Sequence, residues 1–186
     1  HSAPRLGGNS VLPGGSNYTY RQRTVAAIID NAVKTITEDS AYVPFNLEVA
    51  KGRTFIGYNR CETAGPVSRD LYAARLVTHD GKPLCAFINL ACHPVSMGPG
   101  SYQVSADYSG VARSIIREKW GCEVFQLSGA QGNIDPMGGC QKARHAEAVG
   151  TQLAESLAEL EFQPVRGRGH LGFTSAAAEL PFLIAE

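Results

Sequence analysis

Two segments of the chain carry side chains whose types and spacing suit chemistry. The first is Ala91-Cys92-His93-Pro94-Val95-Ser96-Met97-Gly98. It follows an apolar run, which places His93 at the carboxyl end of a buried strand, where α/β sheets bind ligands. A neutral imidazole there can ligate zinc through one nitrogen while an acceptor orients the other. A hydrogen-bonded structural histidine is the alternative. The second segment is Leu127-Ser128-Gly129-Ala130-Gln131-Gly132-Asn133-Ile134-Asp135-Pro136-Met137-Gly138-Gly139. Glycines such as Gly132 let the backbone approach a ligand and aim amide N–H groups at an oxyanion. Asp135 is a candidate general base or electrostatic partner, with Asn133 as loop support; a tight strand-to-helix connection is the competing reading. The nucleophile elbow G-x-S-x-G is absent, because Gln126 stands two positions before Ser128.

Two further positions bear on these loops. Arg60, in Tyr58-Asn59-Arg60, can clamp a substrate oxygen or be a solvated surface charge. Asp107, after Ser105-Ala106, can orient a ligating histidine or N-cap the helix that follows it. His79 falls in a turn, and His145 and His170 have no partner in a motif.

The elements that must position these residues follow from periodicity. Helical spacing of Val25, Ile28, Ile29, Ala32, Val33 and Ile36 predicts an amphipathic helix over 20–38. Alternation over 42–55, with Val43, Phe45, Leu47 and Val49 on one face, predicts a half-buried strand. Residues 57–69 read as irregular. Runs 71–78 and 84–92, joined by His79-Asp80-Gly81-Lys82, predict a hairpin; the second is apolar on both faces, as a central strand is. A helix over 108–120, a buried strand over 122–127, a helix over 141–160 and strand-like sequence after Gly169 complete the pattern. The fold expected is α/β, a mixed β-sheet with flanking helices. The hairpin excludes a purely parallel sheet.

Composition agrees with a soluble enzyme piece. The 186 residues are 44% apolar and 18% charged, with 17 basic against 17 acidic side chains. That balance gives no electrostatic pull toward nucleic acid or anionic membrane. No stretch approaches the ~20 apolar residues of a membrane helix. The cysteines at 61, 85, 92, 122 and 140 include no C-x-x-C pair, which argues against a thiolate zinc site. One disulfide is possible and none is demanded. Both termini interrupt a pattern, so residues 1–186 are expected to be a single incomplete domain of a larger catalytic domain.

Taken in order, these segments resemble the neutral, non-lysosomal ceramidase family. His1-Ser2-Ala3-Pro4 looks like the end of its T-H-T-H-S-G-P segment, and Asn59-Arg60 is similar to its N-R-S-P. His93-Pro94-Val95-Ser96-Met97 matches H-P-x-S-M, the most specific block. Ser105-Ala106-Asp107-Tyr108-Ser109-Gly110 is similar to S-x-D-N-x-G-Y, and Gly132-Asn133-Ile134-Asp135-Pro136 to G-D-x-S-P. The resemblance implies a Zn²⁺ site of two histidines, a glutamate and a tyrosine that hydrolyses the amide of an N-acylsphingosine. By position, His93 matches a zinc ligand, His1 a histidine beside the active site, and Arg60 a substrate-contacting arginine. The remaining ligands are expected just before residue 1 and beyond residue 186. The family serine is replaced by Asp135 and its aspartate by Asn133, so a serine-acyl step is excluded here, leaving zinc-bound water as nucleophile. The expectation is a zinc-dependent amidohydrolase acting on a lipid amide, secreted or periplasmic by resemblance. A zinc esterase and an inactive lipid- or glycan-binding homologue are the alternatives.

Overall fold

The computed structural model describes residues 18–38, 43–98, 101, 103–138, 142–167 and 174–177. The elements are α1 (Tyr18–Glu38), β1 (Asn46–Arg53), β2 (Gly57–Asn59), β3 (Asp70–Val77), β4 (Pro83–Leu90) and α2 (Asp107–Trp120). They continue with β5 (Glu123–Ser128), β6 (Ile134–Pro136), α3 (Ala143–Ala158) and β7 (Gln163–Pro164). Five strands form a sheet in the order β5-β4-β3-β1-β7, and β2 pairs with β6 in a separate ribbon. The sheet is mixed: β4 is antiparallel to β3 and parallel to β5. The α/β expectation therefore holds, as does the hairpin, whose turn places Gly81 at φ 84°.

The parallel pairing of β4 with β5 requires a crossover, and α2 supplies it. Helices α2 and α3 pack together over one face of the sheet. Ala50, Leu71, Ala73, Ala86, Ile88, Leu90 and Val124 from that face join Tyr108, Ala112, Ile116, Leu153 and Leu157 in the core. The two helices approach closely at Gly150, where a Cβ would stand 2.5 Å from Val111 Cβ and 2.7 Å from the Tyr108 carbonyl oxygen. A smaller contact, Trp120 edge-on to Phe162 at 5.3 Å, closes the core beyond α2.

The other sheet face is apolar and exposed. Paired residues bring Val49, Ala74, Phe87 and Phe125 into one cross-strand row, and Lys51, Tyr72, Asn89 and Leu127 into the next. Phe87 and Phe125 stack at 5.5 Å, and Val49, Tyr72, Phe125 and Leu127 are exposed.

Several expectations need correction. The strand read over 42–55 forms, but Val43, Phe45 and Val49 are exposed and its buried residue is Ala50 on the opposite side. Alternation gives the period of a strand, not which face the helices cover. Helix α1 forms, yet Val25, Ile28, Ile29, Val33 and Ile36 are exposed, so its apolar stripe is not buried among the described residues. Part of the stretch read as irregular is β2. The strand-like sequence after Gly169 lies mostly outside the described residues, and 174–177 has no regular structure.

These two faces should respond differently to substitution. Ile88→Ala, at a fully buried position, should lower unfolding stability by about 2–5 kcal/mol. Leu127→Lys, at a residue 53% exposed, should change it by no more than about 0.5 kcal/mol. Urea titration of both variants checks this, and equal losses would contradict the one-sided core.

Candidate active site

Strands β4 and β5 run parallel in register from Cys85↔Glu123 to Leu90↔Ser128, so the loops after them leave from the same end of the sheet. They are joined at once: the Gly129 N–H donates to the Leu90 carbonyl at 2.8 Å. A Cβ on residue 129 would lie 3.1 Å from that oxygen, so the small residue permits the approach. One loop carries His93 and the other carries Gly132 and Asn133. The sequence placed both loops here correctly.

The ribbon of β2 and β6 brings in the remaining residues. Tyr58 pairs with Asp135 and Asn59 with Ile134. The Ile134 carbonyl accepts the His93 N–H at 2.8 Å, which ties the histidine backbone to the ribbon. Arg69 Nη1 donates to the Gly57 carbonyl at 2.6 Å and braces the ribbon from the β3 side.

Arg60 bridges both parts of the second loop. Its N–H donates to the Asn133 carbonyl at 2.9 Å, and its Nη2 donates to the Gly132 carbonyl at 2.9 Å. Its Nη1 lies 3.5 Å from Asp135 Oδ1, with side chains 47% and 12% exposed respectively. This ion pair is half open to solvent, where screening limits its strength. Asp135 Oδ1 is itself buried and accepts no hydrogen bond among the described residues. Arg60 Nη1 at 3.5 Å is the cation beside that oxygen. Gly132 leaves open space, since an added Cβ would meet nothing within 4 Å. Its contribution is room beside the backbone, while its carbonyl serves Arg60.

Of the two readings the sequence leaves open for Asp107, the N-cap of α2 is not the one that forms. The N-cap position is Ala106, without a side-chain bond to the helix. Asp107 itself sits at φ 54°, a left-handed conformation that costs roughly 1–2 kcal/mol for most residues and less for aspartate. Its buried carboxylate reaches back to the His93 loop: Oδ1 accepts the Ser96 N–H at 3.0 Å and the Tyr108 N–H at 2.7 Å, and Oδ2 accepts the Met97 N–H at 2.9 Å. Asp107 is thus a loop anchor.

Two residues have roles that the sequence did not reveal. Tyr108 is fully buried and donates its hydroxyl to the Cys92 carbonyl at 2.7 Å. Burial pushes its phenol far above the ordinary tyrosine range, aided by its position beside Cys92. Asn59 accepts the Cys61 and Glu62 N–H groups at 3.0 Å and donates to the Pro66 carbonyl at 3.2 Å, so it holds a turn. A polar residue in a buried segment signals such a role, but its partners are invisible in sequence.

His93 has its Nδ1 buried. Among the described residues, no group of three or more His, Cys, Asp or Glu side chains is placed to hold a metal ion. A catalytic zinc needs three protein ligands, so the described residues do not by themselves fit one. His1, the other histidine expected near the site, lies outside the described residues. Cys61, Cys85 and Cys122 are free thiols.

No family model and no curated protein matches this chain. Solved structures do match. The neutral ceramidase from Pseudomonas aeruginosa superposes with a TM-score of 0.61 at 18% identity, over 75% of this chain and 26% of that one. A structure described as ceramidase complexed with C2 superposes with a TM-score of 0.61 at 16% identity, over the same shares. The chain spans about a quarter of the length of these ceramidase chains. Its fold is similar to that part of the neutral ceramidase fold.

Proposed function

We propose that this chain carries part of the active site of a ceramidase-like hydrolase of linear N-acyl amides, with N-acylsphingosine as the substrate class. The observation that carries the reading is the bond from the His93 N–H to the Ile134 carbonyl, which sets the His93 backbone next to the strand that bears the Arg60–Asp135 pair, on a fold similar to that of neutral ceramidases. Zn²⁺ is the proposed cofactor, with His93 as one donor. The other donors have to come from outside the described residues.

The chain's own side chains suit amide hydrolysis in two ways. Arg60 presents a guanidinium fixed on the Gly132 carbonyl, and an arginine so held can direct a further N–H at a substrate carbonyl oxygen. Asp135, with an oxygen lacking a hydrogen-bond donor among the described residues, can take a proton from an attacking water. Asp135 occupies the place of the family's serine, so attack by water replaces attack by a side-chain hydroxyl. The same replacement favours one second reading, an inactive homologue that retains a lipid- or glycan-binding surface. Turnover separates the two.

Two variants of the full-length protein test the roles. His93→Ala should leave the far-UV spectrum intact, drop bound zinc well below one equivalent and abolish amide hydrolysis; elemental analysis reads the metal, and full occupancy would remove His93 from the ligand set. Asp135→Asn should lower kcat by about 10²–10⁴-fold, the range for a lost acid or base. An undiminished rate on a fluorogenic N-acylsphingosine analogue would reduce Asp135 to a turn residue.

A further inference from the structure

We infer that Asp107 and Tyr108 together form a latch that fixes His93, with Asp107 as a positioning residue for the site. The two residues are consecutive at the start of α2, yet they grip opposite ends of the His93 loop. Tyr108 Oη donates to the Cys92 carbonyl, one residue before His93, at 2.7 Å. The Asp107 carboxylate accepts the N–H groups of Ser96 and Met97, three and four residues after it, at 3.0 and 2.9 Å. The His93 N–H is itself bound to the Ile134 carbonyl at 2.8 Å. The histidine is therefore held before, at and after its own Cα.

The left-handed backbone of Asp107 belongs to this device. At φ 54° the residue turns its carboxylate toward the preceding loop, and Ser105 Oγ accepts its N–H at 2.9 Å. Non-glycine residues at positive φ persist where surrounding contacts over-determine them, and such positions cluster at functional sites. Both carboxylate oxygens are occupied by backbone N–H groups, and the residue is buried. Asp107 therefore acts through the loop and does not touch a substrate. A loop anchored to a packed helix holds its imbedded side chain to the geometry that catalysis requires.

Two substitutions in the full-length protein separate the carboxylate from the backbone conformation. Asp107→Gly accommodates the positive φ without strain but removes the acceptor. Asp107→Asn keeps an oxygen for Ser96 and Tyr108 but turns an amide NH₂ toward the Met97 N–H. Both should speed amide hydrogen exchange in residues 93–98, measured by mass spectrometry, with the far-UV spectrum preserved. Both should also lower kcat by about 10–100-fold, as lost outer-shell partners do, with KM little changed. Glu118→Gln, at an exposed position of α2, should change neither quantity. Unchanged exchange over 93–98 would overturn the latch, and faster exchange with an intact kcat would overturn the positioning role. The catalytic arm rests on the proposed hydrolase reading, whereas the exchange arm does not. A parent protein without amidase activity would therefore remove the hydrolase and leave exchange to judge the latch.

Discussion

The parallel pairing of β4 with β5 is the constraint on which the remaining architecture depends. Backbone N–H and C=O groups in the sheet interior must find partners, and in-register parallel pairing satisfies those that β4 and β5 turn toward each other. It also forces the two following loops to leave the sheet side by side. The Gly129 N–H bound to the Leu90 carbonyl extends the pairing one step past the strands. From there one loop turns into the His93 segment and the other into the Gly132–Asp135 segment. The crossover through α2 is the other consequence, and it brings Asp107 and Tyr108 to the same end of the sheet.

Much of what occupies the site region is backbone chemistry performed by side chains. Asp107, Tyr108 and Arg60 each bond to main-chain groups of another segment, and Asn59 to those of its own turn. Such bonds stabilise modestly, at about 1 kcal/mol each, but leaving a buried partner unsatisfied costs more. Polar residues at this end thus specify loop conformation rather than supply large stability. Stability comes from the helix-covered face, where Ile88, Leu90, Ile116, Leu153 and Leu157 are buried. Asp135 departs from this pattern, since one buried oxygen has no hydrogen-bond donor among the described residues and lies beside a half-exposed arginine. That imbalance distinguishes it from the residues that merely brace the loops.

The similarity to neutral ceramidases rests on shape, at 18% and 16% identity. At that distance the common feature is the arrangement of strands and helices, and each side chain has to be argued from its own surroundings. By that standard the block around His93 is well supported as a fixed loop, Arg60 as a bridge within the second loop, and Asp135 as the carboxylate facing it. The row in which Val49 and Phe125 are exposed shows that, among the described residues, burial of the sheet is one-sided.

The sequence by itself determined the period of most main elements, the hairpin, the mixed sheet and the position of the two loops after β4 and β5. These are local properties: spacing of apolar residues, an Asp-Gly turn, and glycines after an apolar run. It also singled out Arg60, His93, Asp107 and Asp135 by residue type. The tertiary structure decided which face of β1 is covered, because alternation is symmetric until a helix packs on one side. It decided that residues 57–59 are a strand, because three residues carry too little pattern to show before β6 pairs with them. It decided, too, that the Asp107 carboxylate serves the His93 loop as well as the Tyr108 N–H of its own helix. A carboxylate beside a helix start suits a local cap equally well, and only a fold that returns residues 96 and 97 to it offers better donors.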